Sequence, residues 1–212
     1  MPRVKVARKS TAIDMTAMCD VAFLLLTFFI LTAKPKVDDP SHATVPPSTS
    51  YIPVPDANMI TISIGQAFGK DAAFFSVTEQ DVRKEALTEM GKKWGASFTP
   101  EEQQRFAVTP VFGVPMSRLK SFLDTDPAQL KDFPQTGIPA GDTTNVNNNE
   151  LYDWIHMSRQ AEIALHSKIL NVAIKADHAE AYPEINKVIA ILGKQGLFKF
   201  ELITSLKAAP KK

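Results

Sequence analysis

The residue most able to do chemistry in this chain is an acid in an apolar setting. Asp20 stands at the head of a run in which, from Val21 to Leu31, only Thr27 is not apolar. A charged aspartate deep in a bilayer costs about 2.5–3.5 kcal/mol on insertion scales, so such a residue marks an ion path or a buried partner. A carboxyl there can pass between neutral and charged forms as its hydration changes. At about 100° per residue, Thr16, Asp20 and Thr27 fall within roughly 40° of one another on a helix. Leu24 and Leu31 share that stripe, while Phe23, Phe28, Phe29 and Ile30 lie on other faces suited to lipid or apolar packing. The two hydroxyls are placed to hydrogen-bond the carboxyl or a water that feeds it. The competing use of a threonine in an apolar helix is a bond back to its own helix carbonyls. For Asp20 the competing reading is a position near the headgroups, reached by snorkelling, for which an aspartate is short.

The other ionisable residues form no reaction centre. His42, His156, His166 and His178 are scattered, with no metal-ligand spacing and no cysteine partners. There is no phosphate loop, nucleophile elbow or paired catalytic carboxylate, so neither an enzyme nor a bound cofactor is expected. The single cysteine, Cys19, excludes an intrachain disulfide. A net charge of +1 over 212 residues, with no strongly basic face beyond the N-terminus, gives no reason to expect nucleic acid.

The element that must position Asp20 is a single helix. From Ile13 to Ala33 the segment has 21 residues, enough for one bilayer crossing. Arg3, Lys5, Arg8 and Lys9 precede it, whereas Lys34 and Lys36 follow it with Asp38 and Asp39. That bias predicts an N-terminus inside and an exported C-terminal part. A cleaved signal peptide is the rival, opposed by Asp20 and by Leu31, which occupies the place of a small residue before a cleavage site. Residues 1–12 read as a basic cytoplasmic tail and 13–33 as the transmembrane helix. Residues 34–55, with six prolines among serines and threonines, read as a semi-stiff linker that could span on the order of 60 Å.

Residues 56–207 read as one folded domain, followed by a tail at 208–212. Ile60, Ile62 and Ile64 alternate with Thr61 and Ser63, which predicts a half-buried strand. A turn over 65–71 leads to a partner strand at 72–77. A helix follows with Val82, Ala86, Met90 and Trp94 on one face and Gly95 at its end. Residues 97–150 read as a long, mainly helical insertion. Thr99-Pro-Glu-Glu102 carries a capping box, Asp126-Pro127 suggests a further helix start, and Asn147 to Asn149 lie in a loop. Residues 151–166 read as a helix of mixed face, with Leu151, Trp154, Ile155, Ser158, Glu162 and Leu165 near one side. Trp94 and Trp154 are expected in core or rim packing. The end of the chain reads as a strand at 169–175, a helix from Pro183 and a last strand at 197–205, a crossover that sets two parallel strands side by side. The fold class is therefore α+β: one N-terminal transmembrane helix, a Pro-rich linker and a small α/β sandwich with an insertion.

The stretch from Ile13 to Thr32, with Asp20 followed by a Leu/Phe-rich run, resembles the ExbD/TolR family of proton-driven energiser subunits. Ala176-Asp177, Tyr182 and Gly196 sit where the family places its strand-to-helix and helix-to-strand turns. The resemblance covers residues 1–80 and 168–207. Asp14 stands where an Asn is usual and Ala17 where a Pro is usual, and about 90 residues separate the second and third strands where the family has a short helix and turn. The resemblance implies that Asp20 carries the proton, supported by Thr16 and Thr27. It implies an ExbB/TolQ-like multi-helix pentamer around the helix, a second copy of this chain or a paralogue, and a TonB/TolA-like transducer beyond an inner membrane. Asp177 is a candidate for that outer contact, or else a turn or helix-cap aspartate.

Overall fold

The computed structural model describes residues 15–33, 40, 45–48, 55, 57–68, 70–126, 129–130, 132–141, 148–176 and 182–206. The chain forms two compact units, Met1–Asp38 and Asp39–Lys212. In the first, helix α1 (Met15–Thr32) is unbroken and no residue in it is buried. An apolar helix that buries nothing has its hydrophobic surface still to cover, and its 18 residues rise about 27 Å, close to one hydrocarbon thickness. By length and composition it can cross a membrane once.

The second unit is α+β, as the sequence predicts. Its elements are β1 (Pro47–Ser48), β2 (Met59–Ala67), β3 (Lys70–Val77), α2 (Gln80–Trp94), α3 (Pro100–Val108), β4 (Val111–Phe112), α4 (Met116–Asp124), α5 (Glu150–His166), β5 (Asn171–Ala176), α6 (Tyr182–Lys194), β6 (Glu201–Leu202) and β7 (Ser205–Leu206). The main sheet has the order β4-β3-β2-β5-β6. β2 and β3 form the expected antiparallel hairpin, and β5 lies parallel to both β2 and β6. The crossover through α6 is thus as read. A second, two-stranded sheet pairs β1 in parallel with β7, so Pro47 and Ser48 of the Pro-rich stretch are held by the last strand.

Three local expectations need correction. The hairpin strands run on to Ala67 and resume at Lys70, so the turn is tighter than 65–71. Strand ladders extend as long as partners face each other, and Gly65 pairs with Ala72 despite its turn propensity. The last strand is not continuous over 197–205 but survives as two short pieces, because Phe198 and Leu202 are exposed and only Ala173 and Ile174 offer β6 a partner. No helix begins at Asp126 among the described residues; Gln129 N–H closes only a turn onto the Asp126 carbonyl. The helix of this region is α4, which has no N-cap side-chain hydrogen bond to signal its start.

The sheet is covered more fully than a half-buried strand implies. The register sets Ile62 opposite Phe75 and Ser63 opposite Phe74, so these pairs occupy opposite faces. All four are buried. On the Phe75 face, Trp154 of α5 lies 5.0 Å from Phe112 and 5.5 Å from Phe106, ring centre to ring centre. On the other face, a Cβ at Gly113 would come within 2.2 Å of the Phe74 ring, so only glycine lets this strand-end pack there. The insertion is therefore part of the core: β4 extends the sheet beside β3, Ile138 N–H reaches the Ala73 carbonyl at 2.8 Å, and Phe106, Leu119 and Phe122 are buried.

Candidate functional site

α1 carries Asp20 about 8 Å along its axis from its first residue. Because the helix is unbroken, the stripe of Thr16, Asp20 and Thr27 predicted from spacing is realised in the backbone. The threonines differ from a simple proton-path picture. Thr27 Oγ1 donates to the Leu24 carbonyl at 2.9 Å, the back-bonding alternative, and Thr32 does the same to Phe28 at 2.7 Å. Thr16 also makes a polar contact of its own. Around the stripe, Phe23, Phe28, Phe29 and Ile30 are each more than half exposed. A carboxylate on such a helix needs polar partners from groups beyond the helix or from water.

Asp177 lies outside the described residues, as do Asp14, His42 and His178. His156 stacks on Tyr152 and contacts Gln160 Nε2 at 2.9 Å. No cluster able to hold a metal ion occurs among the described residues.

The buried ionisable groups of the second unit tie elements together. Arg83 donates to the Thr109 carbonyl at 2.5 Å, and burial lowers its pKa from the usual arginine value. Glu102 completes the capping box of α3: it accepts from Thr99 N–H at 2.6 Å, and that bond holds its carboxyl below the usual range. Glu150 accepts from Met116 N–H at 2.9 Å, joining α5 to α4, while burial pushes its carboxyl up. Asp153, fully buried, accepts from Lys93 Nζ at 2.5 Å and Trp94 Nε1 at 3.0 Å. Asn149, part of the asparagine run, caps α5 by accepting from Tyr152 N–H at 3.0 Å and donates to the Ala140 carbonyl. One cluster escaped the sequence reading. His166 contacts Glu162 on α5 and Asp81 on α2, each at 2.9 Å. The i, i+4 spacing of Glu162 and His166 was the available signal; the partner from α2 had none.

The chain matches the family model described as biopolymer transport protein ExbD/TolR over residues 7–207. No curated protein and no solved structure matches it. The match runs across the inserted region as well as the two ends that carry the motif resemblance. With one apolar helix among the described residues ahead of a mixed-sheet domain, the chain belongs to the ExbD/TolR family of biopolymer transport proteins.

Proposed function

We propose that this chain is the single-pass subunit of a proton-driven inner-membrane motor of the ExbB-ExbD type, and that it energises a TonB-like transducer for outer-membrane transport. The observation that carries the reading is Asp20: an acid on an apolar helix that buries none of its own surface, in a chain of this family. A lone helix cannot enclose a proton path, so an ExbB/TolQ-like pentamer would surround α1, with a second copy of this chain or a paralogue beside it. The N-terminus lies in the cytoplasm and the second unit in the periplasm in this reading, as the basic residues before α1 favour.

In the proposed cycle Asp20 takes a proton from one side, loses its charge, moves within the partner and releases the proton to the other side. Moving one charge through 100 mV supplies about 2.3 kcal/mol, enough to bias one step of a turning or rocking helix. Asp177 remains a proposed periplasmic contact. The test is Asp20→Asn, which keeps size and polarity but cannot ionise. With membrane level and co-purification with a multi-helix partner unchanged, the variant should abolish protonophore-sensitive uptake of a scarce iron chelate. Wild-type uptake with envelope integrity and gliding also unchanged would reduce α1 to an anchor and make the chain a tethered binding adaptor. Intact uptake with lost envelope integrity or lost gliding would move it to a Tol-type or gliding motor.

A further inference from the structure

His166 sits between two carboxylates that come from different helices. Its Nε2 is 2.9 Å from Asp81 Oδ2, in the first turn of α2, and its Nδ1 is 2.9 Å from Glu162 Oε2, one turn back on α5. An ionised carboxylate has only lone pairs to offer, and a neutral imidazole has one N–H. Both contacts are hydrogen bonds only if the cluster holds one more proton than a neutral histidine between two carboxylates. Glu162 is fully buried, and its other oxygen has no hydrogen-bond partner among the described residues, so the doubly protonated ring compensates a charge that water does not reach. Asp81 is more exposed than buried, so water can replace the ring there.

We infer that His166 with Asp81 and Glu162 is a proton-binding site outside α1 that works as a latch between the start of α2 and the end of α5. Protonated, the ring bridges both helices. On losing a proton it keeps the N–H toward buried Glu162 and releases Asp81. The opposite ends of the same two helices are joined by a separate set of contacts, from Lys93 and Trp94 to Asp153, in which no histidine takes part. Proton loss therefore frees one end only. That end lies four residues beyond β3 and five before β5, the two strands that flank β2.

Among the described residues, the charged groups facing the ring are Asp81 from α2 and Glu162 from α5. Lys84 and Lys168, nearby in sequence, ion-pair with neither carboxylate among the described residues. The hydrogen bond that the ring donates to Glu162, and then the charges of both acids, raise the pKa of His166 above the usual histidine value of 6.5. The latch is thus fully closed below that value and opens as pH rises through the higher folded one. The inference does not depend on the role of Asp20.

The test uses the full-length protein in nanodiscs, with ring-nitrogen NMR of His166 and hydrogen exchange corrected for intrinsic rates, from about pH 5.5 to about 8.5. The expected result is a ring protonated on both nitrogens at the low end. Protection of residues 79–86 should then fall about tenfold by the high end while residues 88–94 hold theirs. Asp81→Asn should abolish that pH response. A ring already neutral at the low end, equal loss at both ends of α2, or a response that survives Asp81→Asn would overturn the latch. Should Asp81→Asn fail to fold, the wild-type spectra and exchange decide alone.

Discussion

Trp94 Nε1 on α2 donates to Asp153 Oδ2 on α5 at 3.0 Å, and Lys93 reaches the other oxygen of the same buried carboxylate at 2.5 Å. Two donors adjacent in sequence converge on one acid that water cannot reach. Removing the acid strands an indole N–H, while Lys93, partly exposed, can return to water. Asp153→Ala should lower stability by about 1.5–3 kcal/mol, the range for hydrogen bonds to charged groups. Urea unfolding followed by tryptophan fluorescence measures it, and an unchanged midpoint would show that the pair contributes nothing net.

Gly113 and Phe74 make a steric prediction. A Cβ at position 113 meets the Phe74 ring at 2.2 Å, inside any real contact. Gly113→Ala should cost about 1–3 kcal/mol by overpacking. Adding Phe74→Leu should recover part of the loss; if the double variant is worse by the sum of both changes, the clash is not the cause.

Two carboxylates should respond to pH with opposite sign. Glu102 is held below its ordinary value of 4.5, first by the Thr99 backbone bond. Its contribution is complete above 4.5 and is lost as pH falls through the lower folded value. Thr99→Ala, which opens the capping box, should cost about 1 kcal/mol near neutrality and weaken this acid dependence.

Glu150 is raised above 4.5, first by burial. It binds its proton more tightly when folded, so stability falls as pH climbs from 4.5 through the folded value. Glu150→Gln keeps an acceptor for Met116 N–H and should be at least as stable as wild type at neutral pH, with the gap closing in acid. A Gln variant less stable at neutral pH than in acid, relative to wild type, would contradict this sign.

In α1, Thr27 spends its hydroxyl on the Leu24 carbonyl. Under the motor reading, Thr27→Val should leave energised uptake within about threefold of wild type, whereas Asp20→Asn abolishes it. A loss as complete as that of Asp20→Asn would place the Thr27 hydroxyl on the proton path instead.

Local chemistry was legible in the sequence because its causes lie within a few residues. The apolar run wrote α1, period two wrote β2 with β3 following as its hairpin partner, and Thr99 with Glu102 wrote the start of α3. The order strand, helix, strand wrote the parallel pairing of β5 and β6. The stripe that presents Asp20 needed only the helical repeat. Tertiary structure decided the rest, since it turns on residues far apart in the chain. Ser63 is buried although its strand alternates, because the second face of the sheet is also covered, with Phe74 opposite it in register and the chain at Gly113 packed on Phe74. The inserted region joined the core through Phe106 and Phe112 against Trp154, aromatics whose irregular spacing shows no period. His166 met Asp81 only once α2 and α5 had packed side by side in opposite directions, and no local pattern encodes a contact between residues 85 positions apart.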